Sequence, residues 1–274
     1  FRDYVVSEAR GELDGQGGLE CFGRRVQTGI FPIGIDVDGF LKARDSAGGV
    51  RTYDRMAASA AFRSMIVGVD RLDYSKGLEQ RLLGYEQFLH DHAEQRGKVF
   101  LLQVTPISRD EVDAYQDIRA RLDALAGRIN GEYSEMDWQP IRYLNRTYRR
   151  DQLAGLYRAA RVGLVTPLRD GMNLVAKEYV AAQNPDDPGV LILSRFAGAA
   201  EQMGEALLVN PFSREELSDA IHKALTLPLA ERRRKWEALM QVVRDTDVAG
   251  WRDAFVRALK AAPISGNNAP ANAA

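Results

Sequence analysis

From about Ser64 onwards, hydrophobic residues come in short continuous runs, which are separated by mixed stretches of about ten to fifteen residues. Continuous apolar runs, rather than alternating ones, are typical of parallel strands that are buried on both faces of a sheet. The runs therefore predict six strands, at Met65–Val69, Val99–Val104, Ile141–Leu144, Val162–Val165, Val190–Leu193 and Ala206–Val209.

Between the runs, apolar residues recur every three or four positions, which predicts amphipathic helices. Two further helices are predicted at Ala230–Val243 and Trp251–Ala261. Regular alternation of strands and helices predicts an α/β fold with a doubly wound parallel sheet. The three clearest helical stripes are Val112, Tyr115, Ile118, Leu122 and Leu125; Leu153, Leu156, Tyr157 and Ala160; and Leu217, Ile221 and Leu225.

The N-terminal part of the chain has a different pattern. Ten of the 24 glycines fall within the first 50 residues, which predicts irregular or hairpin structure. The best strand candidate there is Arg25–Ile35, although Gly29 and Pro32 interrupt it. We therefore divide the chain into a Gly-rich lead-in (1–60), an α/β domain (61–262) and a disordered tail (263–274).

The composition narrows the classes of function. The 37 Lys and Arg nearly balance the 38 Asp and Glu, for a net charge of -1, so no general affinity for nucleic acid or anionic membranes is expected. The single cysteine, Cys21, excludes a disulfide framework and a cysteine zinc site. No apolar run approaches the roughly 18 residues of a membrane span. We expect a cytoplasmic protein.

Charged loops follow the predicted strands, and ligands of open α/β sheets bind at the carboxyl ends of the strands. Arg71 and Lys76 follow the first strand, and Asp170 follows the fourth. A helix that starts near Met172 would offer free N–H groups and a positive dipole end to a diphosphate. Asp170 could accept hydrogen bonds from sugar hydroxyls, and Glu178 from a ribose diol. Together these residues predict a nucleotide-sugar site.

Taken singly, each residue also has an ordinary structural explanation. Arg71 and Lys76 fit solvated loop charges, Asp170 fits a helix N-cap, and Glu178 fits an exposed helical residue. The chain contains neither GxGxxG nor GxxxxGK[ST], which disfavours dehydrogenase and P-loop chemistry. Three histidines lie in helical stretches away from the loops and fit structural or solvated positions: His90, His92 and His222.

Five segments closely resemble the α,α-trehalose-6-phosphate synthase family, whose members are retaining glycosyltransferases with two facing Rossmann-like lobes, the GT-B arrangement. The resemblance extends from about Gly29 to Lys260 and implies the C-terminal, donor-binding lobe. The family's N-terminal lobe, which carries a catalytic-site His and much of the acceptor site, has no counterpart here. The segments are Val69–Leu78, Ala114–Arg119, Ala126–Tyr133, Val162–Gln183 and Ser194–Ala200.

The resemblance implies a role for each matched residue. Arg71 and Lys76 would hold the donor diphosphate, and Asp170 would bind glucose hydroxyls; these three form the implied catalytic set. Glu178 would bind the ribose, and Arg109 the phosphate of the acceptor. The implied phosphate and sugar cradle is Gly171, Met172, Asn173, Leu174 and Val175.

The loop Asn145–Tyr148 would line the base pocket, with Tyr148 among the donor-binding residues. This chain has Arg146 and Thr147 where some relatives carry Gln-His. The sequence therefore leaves open which base the nucleotide donor carries.

The activity implied by the resemblance is glucosyl transfer, with retention, from a nucleotide diphosphate-glucose to glucose 6-phosphate. UDP-glucose is the expected donor, and neither a metal nor a cofactor is implied. Two alternatives stay open: a related transferase with another phosphorylated acceptor, such as glycerol 3-phosphate, and a non-catalytic nucleotide-sugar-binding subunit. An exposed lobe face would favour a homo-oligomer or a partner N-terminal lobe.

Overall fold

The computed structural model describes residues 1–13, 15, 18–106 and 113–262. It divides the chain into two compact units. The larger unit is Ile33–Val248, and the smaller one combines Phe1–Pro32 with the described residues from Ala249 onward. The predicted boundary at residue 60 thus lies inside the larger unit, and the interpretation of residues 1–60 as a lead-in from another lobe stays a prediction.

The smaller unit begins with helix α1 (Arg2–Glu8) and a three-stranded antiparallel sheet, in keeping with the hairpin structure expected from its glycines. The strand predicted at Arg25–Ile35 is much shorter than expected, because pairing ends before Gly29, and Pro32 has no N–H group to donate. The strands are β1 (Glu12–Leu13), β2 (Gly18–Cys21) and β3 (Arg24–Gln27).

The remaining elements alternate along the chain as the hydrophobic pattern predicts. In order they are α2 (Val37–Asp45), α3 (Ala47–Ala60), β4 (Ser64–Val69), α4 (Leu78–Asp91), β5 (Val99–Val104), α5 (Asp113–Tyr133), β6 (Ile141–Leu144), α6 (Arg150–Ala159), β7 (Val162–Val165), α7 (Leu174–Ala182), β8 (Val190–Ser194), β9 (Leu207–Val209), α8 (Arg214–Thr226), α9 (Leu229–Asp245) and α10 (Val248–Ala261).

The six strands β4–β9 form one parallel sheet in the order β6-β5-β4-β7-β8-β9. The predicted doubly wound α/β fold is therefore confirmed. Three of the predicted strands have the expected bounds, and the other three differ by one residue at one end. Of the predicted helical stripes, Val112 lies outside the described residues, as does the predicted tail 263–274.

The core lies in two layers, one on each face of the sheet. Along β4, Met65 and Val67 belong to one layer and Ile66 to the other. Helices α2, α3, α6, α7 and α9 cover the first face, and α4, α5 and α8 cover the second. Among the described residues, no helix is long and apolar enough to cross a membrane.

Helices α2 and α3 were not predicted, because their glycines resemble loop signals. Asp36 and Ser46 cap them by accepting hydrogen bonds from Gly39 N and Gly49 N. Gly49 lies where α3 meets α6, and a Cβ added to Gly155 of α6 would come within 2.2 Å of the Gly49 carbonyl oxygen. These glycines therefore permit close helix packing.

Candidate active site

A cleft of about 560 Å³ opens at the carboxyl ends of β4, β5 and β7. Its lining residues include members of the loops after β4, β5, β6 and β7. The lining residues are Val69, Asp70, Arg71, Lys76, Val104, Pro106, Arg146, Thr147, Tyr148, Leu153, Tyr157, Asp170, Met172, Asn173, Leu174, Val175 and Glu178.

The loop after β4 carries the first two cations to the cleft. Asp73 organises it, since its Oδ1 accepts hydrogen bonds from the Ser75 amide (2.8 Å) and hydroxyl (2.7 Å). Gly77 ends the turn with a left-handed φ of 64°, and a Cβ there would lie 2.6 Å from the Thr166 carbonyl oxygen. The turn therefore requires glycine, and it places Lys76 on the cleft wall beside Arg71.

Lys76 and Asp170 form an ion pair in the cleft wall, with Nζ 2.5 Å from Oδ2. Their side chains remain 16% and 17% exposed, so solvent reaches both. Asp170 Oδ2 also accepts a hydrogen bond from Asn173 Nδ2 at 3.1 Å. The carboxylate is therefore held in place, and both charges face a cavity large enough for a ligand.

The loop after β8 supports the segment that follows Asp170. The Asp170 amide donates to the Phe196 carbonyl (3.2 Å), and its carbonyl accepts from the Gly198 amide (3.0 Å). A Cβ on Gly198 would lie 2.1 Å from the Gly171 carbonyl oxygen, so the two loops can approach only because that residue is glycine. Gly171 thus lies in the supporting contact and is not a lining residue of the cleft.

Helix α7 begins at the cleft with free backbone donors. Asn173, its N-cap residue, has a left-handed φ of 76° and makes no side-chain cap. Among the described residues, no side chain caps the amides of the first turn, which include those of Leu174 and Val175 on the cleft wall. These amides lie at the positive end of the helix dipole. This is the arrangement that binds phosphates.

Glu178 lies one turn further along α7 and also lines the cleft. Burial raises the pKa of this carboxyl to about 6, and the Arg150 guanidinium partly offsets that rise. The adjacent Lys177 is fully buried, where its Nζ donates to Thr246 Oγ1 (3.1 Å) and burial lowers its pKa. The Glu178 side chain therefore lines the cleft, whereas the Lys177 side chain lies in the core.

The loop after β6 forms another part of the wall. Arg146, Thr147 and Tyr148 all line the cleft, as expected for the Asn145–Tyr148 loop. Arg109, the predicted contact for an acceptor phosphate, lies outside the described residues. The structure thus brings together the predicted donor-side residues other than Gly171, whose carbonyl oxygen lies against Gly198 instead.

One buried network was missed by the sequence analysis. Arg81 Nη1 donates to Asp70 Oδ2 (2.6 Å) and Gln103 Oε1 (3.0 Å), and Arg81 Nε donates to Thr166 Oγ1 (3.0 Å). Burial raises the pKa of Asp70, and the Arg81 guanidinium opposes that rise. The sequence feature that could have revealed this network is an arginine within the apolar stripe of α4, between Leu78 and Leu82.

Within the residues that the structure describes, one group of three side chains could hold a metal ion, and it lies outside the cleft: His92, Glu94 and His222.

Comparison with known proteins identifies the family. The profile of glycosyltransferase family 20 matches residues 6–261. The trehalose-6-phosphate synthase of Sinorhizobium fredii is 48% identical over 261 residues, which are 95% of this chain and 56% of the relative. That of Klebsiella pneumoniae is 44% identical, over 95% of this chain and 55% of its own length.

Solved structures agree with these relatives. A UDP-forming α,α-trehalose-phosphate synthase from Burkholderia xenovorans, in complex with glucose-6-phosphate, has a TM-score of 0.91 at 46% identity and covers 95% of this chain and 58% of its own. The E. coli structure bound with UDP-2-fluoro glucose has a TM-score of 0.90 at 42% identity, with the same two coverages of 95% and 58%. The chain thus spans somewhat more than half the length of these relatives.

Proposed function

The chain belongs to glycosyltransferase family 20, and from this premise we propose that it is the donor-binding lobe of a trehalose-6-phosphate synthase. Its cleft would bind UDP-glucose, and the complete enzyme would transfer glucose to glucose 6-phosphate with retention. The observation that carries the proposal is the position of the Lys76–Asp170 ion pair, beside the uncapped start of α7.

The diphosphate would lie against the first turn of α7, between its free amides and the side chains of Arg71 and Lys76. An ammonium group has three N–H donors, so Lys76 can keep Asp170 and also donate to a phosphate oxygen. Charge-assisted hydrogen bonds of this kind are about twice as strong as neutral ones. A site built in this way holds an anion without a global positive field, which suits a chain with a net charge of -1.

The sugar would lie at Asp170 and the nucleoside further along the cleft. Asp170 has acceptor capacity left for glucose hydroxyls, and Asn173 fixes its orientation. Glu178 would accept hydrogen bonds from the ribose diol, and the wall formed by Arg146, Thr147 and Tyr148 would contact the base. The resemblance and the shared cleft both support these assignments.

In the proposed reaction, the bond between glucose C1 and the diphosphate oxygen breaks, and a bond from C1 to the acceptor hydroxyl oxygen forms on the same face. The acceptor proton passes to the departing phosphate oxygen. Negative charge therefore grows on the diphosphate, where Arg71, Lys76 and the α7 amides would stabilise it. Donors fixed in advance around a developing charge are commonly the largest contribution to catalysis.

The acceptor half of the site would depend on residues beyond this chain. The chain covers 56% of the Sinorhizobium relative, and Arg109 is its one predicted acceptor contact. The proposed partner is therefore an N-terminal lobe, which would hold the acceptor and exclude water. Fixing two reactants together can lower a barrier by about 7–11 kcal/mol, and an isolated donor lobe lacks most of that gain. We also place the protein in the cytoplasm, where its free thiol, Cys21, would stay reduced.

The test compares binding and turnover in the same preparation. UDP binding is measured by calorimetry, and product by mass spectrometry after incubation with UDP-glucose and either glucose 6-phosphate or glycerol 3-phosphate. We expect one UDP per chain and no product from the chain alone, with trehalose phosphate formed once the N-terminal half of a relative is supplied. Failure to bind UDP would contradict the donor site. Product from glycerol 3-phosphate would favour the related transferase, and no product with the added lobe would favour a non-catalytic subunit.

A further inference from the structure

A group of potential metal ligands lies where α4 ends against α8, away from the donor cleft. The ligand atoms of His92, Glu94 and His222 all lie within 4.8 Å of one another. Helix α4 starts beside the cleft and runs back across the sheet, so its last turn lies near the edge where the strands begin. We propose that these three side chains form a binding site for a Zn²⁺-class divalent metal ion, which would tie the end of α4 to α8.

The two helices hold the candidate ligands at a fixed spacing. A Cβ on Gly84 of α4 would lie 2.6 Å from Leu217 Cδ1 of α8, which shows how closely the helices pack. At the end of α4, the Ser218 hydroxyl donates to Asp91 Oδ2 at 3.0 Å. His92 follows Asp91 directly, and His222 lies one helical turn after Ser218. These contacts between α4 and α8 hold the two imidazoles next to each other.

The local contacts leave ligand capacity unused. Nδ1 of His222 is buried and has no hydrogen-bond partner within the described residues. A buried polar nitrogen without a partner costs free energy, which a metal bond would recover. Glu94 is 58% exposed, and its Oε1 lies 3.6 Å from Nδ1 of His92. The carboxylate is thus within reach of the pair and free to turn towards an ion.

The donor set indicates which ion the group would take. Two imidazole nitrogens and one carboxylate oxygen suit Zn²⁺, with water as the fourth ligand, and also suit Co²⁺, Ni²⁺ and Cu²⁺. Mg²⁺ and Ca²⁺ prefer oxygen ligands throughout. A metal at this site would stabilise the packing of α4 and α8 and would take no part in glucosyl transfer, because it lies outside the cleft.

One side chain must rotate when the ion binds. The two rings are stacked, with centroids 3.9 Å apart and planes 11° from parallel. An imidazole lone pair lies in its ring plane, so nearly parallel rings cannot share one ion. His92 has the freedom to turn, since it lies beyond the end of α4 and is 21% exposed. The ion would replace the ring stack with a coordinated pair.

The test uses the full chain with any purification tag removed, so that the chain's own three histidines are the only ones in the sample. Calorimetry with ZnCl2 should give one site per chain, and visible absorption with Co²⁺ should report histidine coordination. His92→Gln and His222→Gln should each weaken Zn²⁺ binding at least about tenfold. Glu94→Gln should weaken it by a smaller factor, and its exposed position leaves the fold intact even where a histidine variant melts early.

Two control variants keep the proposal falsifiable. His90→Gln removes the third histidine, whose side chain is 72% exposed and lies two residues from His92. Cys21→Ser removes the single thiol. Both should bind Zn²⁺ as the parent does, and the melting temperature should rise with Zn²⁺ in the parent and fall back with EDTA. The proposal is overturned if Zn²⁺ does not bind at about 100 μM, or if His90→Gln or Cys21→Ser weakens binding as much as the three ligand variants.

Discussion

Two ion pairs lie close together at the carboxyl edge of the parallel sheet, and they differ in exposure. Lys76 and Asp170 are 2.5 Å apart with side chains 16% and 17% exposed. Arg81 and Asp70 are 2.6 Å apart with side chains 0% and 3% exposed. The open pair can exchange partners with a ligand, whereas in the sealed pair Arg81 is fully buried and only Asp70 reaches the cleft wall.

The surroundings of each pair explain what it does. Gln103 and Thr166 also accept hydrogen bonds from Arg81, so the sealed pair fixes the end of β4 from which Arg71 extends. The open pair lies beside the free amides of α7, where any additional partner must come from solution. The same kind of ion pair thus supports the end of a strand in one case and lines an open cleft in the other.

The largest expected effect comes from breaking the sealed pair. Arg81→Met leaves Asp70 buried without its partner and should lower the free energy of unfolding by about 3–5 kcal/mol. Lys76→Met, which breaks the open pair, should cost only about 0–1 kcal/mol. Urea unfolding of both variants checks this contrast, and equal losses would show that exposure does not separate the two pairs.

The sequence predicted that Lys76 and Asp170 share one site, although not that they pair, and it missed Arg81 for a physical reason. Lys76 and Asp170 lie in loops that follow apolar strands, where a charged residue is easy to recognise in the sequence because the preceding run is hydrophobic. Arg81 lies in a helix, where one cation among apolar residues resembles a solvated side chain. Its burial depends on contacts with Gln103 of β5 and with Thr166, which follows β7. Helix α3 was missed similarly, since Gly49 suggests a loop until its packing against α6 is seen.

The next largest effect concerns the ligand. Arg71→Ala and Lys76→Ala should each weaken UDP binding by about 1.5–3 kcal/mol, because each would remove a proposed charge-assisted contact to a phosphate. Arg169→Ala is the matched control, since Arg169 is exposed in the same loop region but is not a lining residue of the cleft. Calorimetry with UDP measures all three. Unchanged affinity in both cleft variants would remove the proposed phosphate site.

Glu178 lies in the cleft as a partly desolvated carboxyl, and its pKa of about 6 is higher than the usual 4.5. At pH 7 folding must bury a carboxylate, whereas below pH 4.5 the group is protonated in both the folded and unfolded chains and this cost vanishes. Its contribution to stability therefore increases as the pH falls through 6 towards 4.5. Glu178→Gln should be more stable than the parent by up to about 2 kcal/mol at pH 7.

The difference should shrink towards zero near pH 4, and unfolding of the two proteins across this range measures it. A difference that stays constant with pH would show that the carboxyl titrates normally.

The smallest expected effect separates the sugar from the nucleotide. Asp170→Asn should weaken UDP-glucose binding by about 1 kcal/mol and hardly change UDP binding, because a carboxylate at the sugar hydroxyls does nothing for UDP alone. The affinity gap between the two ligands should narrow. Loss of UDP binding together with early melting would instead identify Asp170 as a structural residue at the start of α7.

We propose that the diphosphate of a nucleotide sugar binds at the first turn of α7, and a crystal structure of the chain with UDP would show whether it does. We predict phosphate oxygens within about 3.2 Å of the amide nitrogens of Leu174 or Val175 and of Lys76 Nζ. UDP bound elsewhere, or a diphosphate turned away from α7 while Lys76 contacts only Asp170, would contradict the claim.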